Sequence, residues 1–161
     1  MAQQRKWDKQ QKEFEERLLE VRRETRVTKG WRQLSFRAIM IVGNKKWKIG
    51  LGIGKAQDVV GAVNKAVHEA YKSLVEVPIE KWETVPYART FKYKSAIVRI
   101  LPAAPGTGLK AGSSVRTILE LAGYNNILSK IIGTNNKLNN ALATIKALQT
   151  YKKKRNVATW N

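Results

Sequence analysis

The chain has no cysteine, which excludes a disulfide framework and any thiolate metal site. It has a single histidine, His68, too few for a His-rich metal site and best read as a surface residue. Acids are scarce: 12 Asp+Glu stand against 31 Lys+Arg, a net charge of +19 in 161 residues. No run approaches the roughly 18 apolar residues of a membrane span, so no membrane partner is expected. The opening MAQQRKWDKQ lacks the apolar centre of a signal peptide and carries Asp8. That argues against secretion and against an uncleaved transit peptide.

What is present in excess is positive charge. Such an imbalance destabilises a compact chain by self-repulsion unless a polyanion neutralises it. Nucleic acid is the commonest such partner and a membrane surface the next. Between Arg22 and Gln57 the cations are Arg22, Arg23, Arg26, Lys29, Arg32, Arg37, Lys45, Lys46, Lys48 and Lys55, against Glu24 alone. From Thr90 to Arg155 the only acid is Glu120. A merely solvated surface would intersperse both signs. The 43% hydrophobic content allows one domain or two small ones with real cores.

The chain is organised around Arg26 to Ala56, two alternating runs flanking a turn. In the first, Leu34, Phe36, Ala38, Met40 and Val42 share one face, and Ser35, Arg37, Ile39 and Ile41 the other. In the second, Ile49, Leu51 and Ile53 alternate with Gly50, Gly52 and Gly54, giving one branched face and one bare. Glycine weakens a strand, so three in register imply a close approach to the backbone. The expected visitor on the bare face is RNA. The turn Gly43-Asn44-Lys45-Lys46 offers Asn and Gly for a positive φ. Upstream, an alternating segment from Arg17 to the Lys29-Gly30 turn reads as a strand. Residues 1–16 read as a flexible arm with Phe14 as its anchor. After Ala56 the period changes to about 3.6. Val60, Val63, Val67, Ala70, Tyr71 and Leu74 make a helical stripe, with Gln57 or Asp58 as N-cap and Pro78 closing the segment. The expectation over 17–77 is a three-stranded antiparallel sheet whose Ile49/Leu51/Ile53 face packs on that stripe.

Residues 78–92 read as a linker, and 78–150 as a second, small α/β two-layer unit, α+β overall. Its expected elements are a strand over 94–101 and a helix capped by Ser113 or Ser114 and stopped by Gly123. A strand over 126–133 follows, then a helix capped by Asn135 or Asn136. Residues 151–161 read as a basic tail.

Two loops mimic nucleotide sites. Gly50 to Gly54 fails the dinucleotide fingerprint, because Lys55 takes the place of its third glycine. A Walker loop fails because Ala56 follows Lys55 where a hydroxyl must hold magnesium. The loop from Pro105 to Ser114 resembles the phosphate loop of galactokinase-type kinases and leads into a helix N-terminus. Phosphoryl transfer also needs a metal-binding acid and a base. The second half offers only Glu80, Glu83 and Glu120, and no Asp. No enzyme activity, cofactor or metal is expected; an RNA phosphate or a protein neighbour suits the loop better.

The runs RVTKG, SFRAIMIVG and GLGIGKAQDV, followed by LPAAPGTGLKAGSSVRTILELAGYNNILSKIIGTNN, resemble the signature of small ribosomal subunit protein five of bacteria and organelles. The resemblance covers residues 14–150, and its wording is nearest the cyanobacterial and chloroplast branch. It implies a structural, non-catalytic protein that binds small-subunit rRNA near the decoding region and the channel by which mRNA enters, supporting assembly and accuracy. It implies an N-terminal domain akin to double-stranded-RNA-binding domains, a C-terminal domain of the sugar-kinase superfamily, and contacts with small-subunit proteins four and eight. The family's rRNA-reaching loop maps onto Thr25 to Arg32, and its contact with protein four onto Gly108 and Arg116. The candidate rRNA-binding residues are then Arg22, Arg23, Arg26, Lys29, Trp31, Arg32, Lys45, Lys46, Lys48, Lys55 and Lys110, with Arg22, Arg23 and Lys48 facing mRNA. Trp31 and Trp47 stand where the family has turn glycines, so both turns should be reshaped. Trp31 either stacks on an rRNA base or lies on its own protein. The expected compartment is the plastid stroma, with the bacterial cytoplasm as alternative. A free-standing double-stranded-RNA-binding protein and a small-molecule kinase are the other readings.

Overall fold

The alternating runs become strands. In the computed structural model, which describes residues 13–151, β1 (Glu15–Thr28), β2 (Trp31–Gly43) and β3 (Lys48–Ala56) form an antiparallel meander. The sheet has four strands rather than three, because β4 (Val75–Glu76) pairs with the start of β3. Val77 N–H donates to the Trp47 carbonyl at 2.8 Å and prolongs that pairing. Strand β1 starts at Glu15, inside the stretch expected to be a flexible arm. Phe14 packs edge-on against Tyr71 at 5.7 Å. The rest of that arm, residues 1–12, and the basic tail after Tyr151 lie outside the described residues.

Helix α1 (Val59–Lys72) lies on the face of β3 opposite to the one expected. A Cβ added at Gly50, Gly52 or Gly54 would overlap the carbonyl oxygens of Ala70, Ala66 and Ala62 respectively. The bare face is therefore filled by the protein's own helix and has no room for RNA. Glycines on one side and alanines on the other are what lets two backbones come this close. The buried row is Ala62, Ala66 and Ala70, while Val60, placed in the stripe from its period, is 65% exposed.

The branched face turns the other way. Ile49 and Leu51, with Ile39 and Ile41 of β2, are buried in one core with Val98, Ile100, Ile118, Leu121 and Leu148 of the second half. That half comprises β5 (Arg89–Tyr93), β6 (Ala96–Pro102), β7 (Leu109–Lys110), α2 (Ser113–Ala122), β8 (Ile127–Ile132) and α3 (Lys137–Gln149). Its sheet runs β5-β6-β8-β7, with only β7 and β8 parallel. The described residues are α+β, with two sheets and three helices. Strand β5 begins inside the expected linker and runs one residue past it; half-buried Arg89, Phe91 and Tyr93 alternate with exposed Thr90 and Lys92. Among the described residues no helix is long and apolar enough to cross a membrane.

The caps and turns show what short-range signals can and cannot settle. Asn136 caps α3, its Oδ1 accepting from Leu138 N–H at 3.1 Å and Asn139 N–H at 3.3 Å. Gly123 closes α2 at φ 98°. Neither Ser113 nor Ser114 caps α2: Gly112 holds that place, and both serines are already helical. At the β2–β3 turn Lys45, not Asn44 or Gly43, takes the positive φ, at 55°. Asn44 instead uses Oδ1 to accept from the N–H groups of Lys46, Trp47 and Lys48 at 2.9–3.0 Å. Neither Trp31 nor Trp47 has a positive φ, because Gly30 and Lys45 take those places. The turns are reshaped, and the tryptophans carry no backbone strain.

Candidate nucleic-acid interface

Strand β2 has 13 residues, which at about 3.3 Å per residue span roughly 40 Å. The candidate cations, close together in sequence, divide between its two ends. At one end β3 pairs with β2 only as far as Phe36, whereas β1 follows β2 as far as Trp31. Beyond β3 the ribbon Thr25–Thr28 and Trp31–Leu34 overhangs as two strands, exposed along its length.

This ribbon carries Arg26, Lys29 and Arg32 around the Gly30 turn. Thr28 Oγ1 donates to the Trp31 carbonyl at 3.4 Å across the turn. Three apolar side chains stay uncovered on it: Trp31 is 74% exposed, Val27 69% and Leu34 50%. The register places Arg26 opposite Gln33, Val27 opposite Arg32 and Thr28 opposite Trp31. One face thus holds Arg26 with Trp31, and the other Arg32 with Val27 and Leu34. Cation beside apolar surface on each face is the chemistry of a phosphate grip joined to base stacking. The exposure of Trp31 decides against its ring lying on its own protein.

Further along β1, Arg22 and Arg23 point to opposite faces. Arg22 pairs with Glu20 at 2.9 Å. Lys55, on β3, pairs with Glu24 at 2.8 Å, and Arg37 reaches the same carboxylate at 3.1 Å. The hydrogen bond from Lys55, then the charges of Arg37 and Lys55, hold the Glu24 carboxyl below the usual carboxylate range.

Lys45 and Lys46 sit at the other end, on the β2–β3 turn, and Lys48 opens β3 beside them. This turn is docked: Lys45 N–H donates to the Leu121 carbonyl at the end of α2, at 2.9 Å. A Cβ on Gly43 would strike the Leu121 carbonyl, and one on Gly123 the Lys45 carbonyl. Lys48 lies 3.5 Å from Glu76 of β4. Lys110 stands apart on β7, exposed on the second sheet. Among the described residues no ion pair engages Arg23, Arg26, Lys29, Arg32, Lys46 or Lys110.

A line of ion pairs runs from the docked turn to the outer side of α2. Lys45 pairs with Glu15, Glu15 with Arg17 at 2.9 Å, Arg17 with Glu120 at 2.5 Å, and Glu120 with Arg116 at 2.8 Å. The hydrogen bond from Arg116, then that from Arg17, hold the Glu120 carboxyl below its usual range. Arg17 was missed by sequence reasoning. The signal was Glu120, the one acid of its stretch and so the acid that any buried or half-buried cation nearby would need. Gly108 lies elsewhere, at φ 76° with open space around it. Its N–H and that of Gly106 donate to Asn126 Oδ1 at 3.3 and 3.1 Å. Those two loop amides are therefore engaged within the loop, while the N-terminus of α2 that follows has no side-chain cap. Among the described residues no group of three or more acids or histidines could hold a metal ion.

The comparisons bear on both halves. The description "ribosomal protein S5, N-terminal domain" matches residues 14–78, and "ribosomal protein S5, C-terminal domain" matches residues 91–160. The small ribosomal subunit protein uS5 of Synechocystis sp. is 49% identical over 153 residues, covering 93% of this chain and 88% of that one. The uS5c protein of Rhodomonas salina is 52% identical over 136 residues, covering 84% of this chain and 81% of its own. That of Spinacia oleracea is 50% identical over 145 residues, 90% of this chain but 47% of the spinach protein, so the chain spans about half of that relative. With both domain descriptions met in order and about half of the aligned residues shared with these proteins, the chain belongs to the ribosomal protein S5 family.

Proposed function

We propose that the chain is a structural constituent of the small ribosomal subunit that binds small-subunit rRNA and performs no catalysis. The observation that carries this is the overhanging ribbon, where Arg26, Lys29 and Arg32 surround an uncovered Trp31. Its cations grip phosphates and fix position, while the aromatic and apolar groups meet unpaired bases; A-form shape and exposed loops supply specificity. The β1–β3 sheet with α1 acts as a double-stranded-RNA-binding-like unit over 17–77, followed by a second unit over 78–150. The protein lies near the decoding region and the channel by which mRNA enters. Gly108 and Arg116 face protein four, and protein eight is a second neighbour. The compartment is the plastid stroma, with the bacterial cytoplasm as alternative; relatives from both support the pair.

Sedimentation of a native lysate at moderate and high salt tests the reading. Co-migration with small subunits that persists at high salt is the expected result, because a purely electrostatic passenger loses affinity steeply as salt rises. A chain that sediments free at moderate salt would instead be a free RNA-binding module.

A further inference from the structure

Where the ribbon overhangs the end of β3, the chain turns through Gln57 and Asp58 into α1. Between the ribbon and the first two turns of that helix lies a cleft of about 600 Å³. Its walls bring together three cations from three elements: Arg26 of β1, Lys55 of β3 and Lys65 of α1, with Ser35 and Gln57 as polar neighbours and Asp58 as the lining acid. Lys65 is nine residues beyond Ala56, on a helix whose apolar stripe gives no reason to single it out. Only the fold places it across from Arg26.

We infer that this cleft holds a backbone phosphate of rRNA, gripped by Lys55, Lys65 and Arg26. The inference rests on the reading of the chain as an rRNA-binding constituent of the small subunit, and adds a contact to it. The charge supports an anion: three cations line the cleft against one carboxylate. At its edge Glu24 is shared between Lys55 at 2.8 Å and Arg37 at 3.1 Å, so it neutralises Lys55 only in part. Continuity favours nucleic acid over a protein carboxylate. Arg26 belongs both to the overhanging ribbon and to the cleft wall, so a phosphate backbone that meets the ribbon runs on into the cleft. Phosphate contacts of this kind set position rather than sequence preference.

The absence of cysteine provides a clean test. Gln57→Cys places a single thiol at the cleft, and Gln149→Cys places one on the exposed end of α3 as a control. Each variant, carrying a tethered iron chelate, is assembled into small subunits, and hydroxyl radicals are generated. Discrete rRNA cleavage from position 57 is expected. In parallel, Lys55→Gln/Lys65→Gln is compared with Lys92→Gln for binding of the full chain to naked small-subunit rRNA across a salt series. Each lost phosphate contact lowers the slope of log affinity against log salt by about 1. The double variant, which loosens the one phosphate of the cleft, should lose about 1 from the slope and Lys92→Gln should not. Absence of cleavage from position 57 in normally assembled subunits overturns the assignment, as does an unchanged slope in the double variant. Failure of every variant and both controls to assemble would count against the small-subunit reading itself.

Discussion

The two turns of the first sheet look alike in sequence and behave differently in the fold. Each is short, each holds lysine and tryptophan, and each has one residue at positive φ, Gly30 in one and Lys45 in the other. The β2–β3 turn is held from three sides: by Asn44 Oδ1 within it, by the Leu121 carbonyl beneath it, and by the Glu15 pair beside it. The β1–β2 turn projects past the last strand that could support it, with a tryptophan uncovered. Counting cations cannot separate the two. What separates them is whether the protein has already used the turn's backbone and charge for its own cohesion. Charges with no intramolecular partner and apolar groups with no cover are what remain for a ligand.

Glycine substitutions would break this contrast most directly. Gly43→Ala forces a Cβ into the Leu121 backbone, an overpacking that costs about 3 kcal/mol. Gly30→Ala meets nothing within 4 Å and bears only the strain of a left-handed residue, about 1 kcal/mol. Urea midpoints of the two variants measure the difference; equal losses would mean that the β2–β3 turn is not docked. Trp31→Ala sharpens the other side. Stability should move by less than about 0.5 kcal/mol, as for an exposed side chain. Affinity for small-subunit rRNA should fall by about tenfold or more, the worth of a stacked base. A filter-binding titration that finds parent-like affinity would remove Trp31 from the interface.

The smallest effect belongs to the ion-pair line behind the docked turn. Glu120 has its carboxyl pKa lowered in the folded state by Arg116 and Arg17. Its stabilising share is therefore complete above the ordinary carboxylate range and disappears as pH falls through that range to the folded pKa. Glu120→Gln should cost about 0.5 kcal/mol at neutral pH, since these groups are partly exposed and screened. The gap from the parent should close on acidification. Thermal melts at neutral and acidic pH check the sign, and a gap that widens in acid would contradict it.

Local periodicity carried much of the fold. It found β1 to β3, α1, β6, α2, β8 and α3, because alternation and the helical repeat are printed in the residues themselves. It could not tell which face of β3 meets α1. Branched side chains at Ile49 and Leu51 are the obvious partners for a helix, yet a helix bearing Ala62, Ala66 and Ala70 gains more by coming close to bare glycine. That choice depends on a second partner for the branched face, which the segment itself does not reveal. Short β4 and β7 have too few residues to show a period, and β5 was hidden behind Pro86. The strand and the Gly30 turn that build the exposed ribbon at Thr25 to Arg32 were legible. Lys65 and Arg17 were not, because their roles arise only when distant elements meet.

The shared core also dictates an order of events during synthesis. Ile39, Ile41, Ile49 and Leu51 are covered by side chains that include Ile118, Leu121 and Leu148. A chain made from its N-terminus at about 5–20 residues per second leaves that sheet face open for several seconds or more before its cover exists. The nascent first half is then a sticky intermediate, one that invites a chaperone until the last helix arrives to close it.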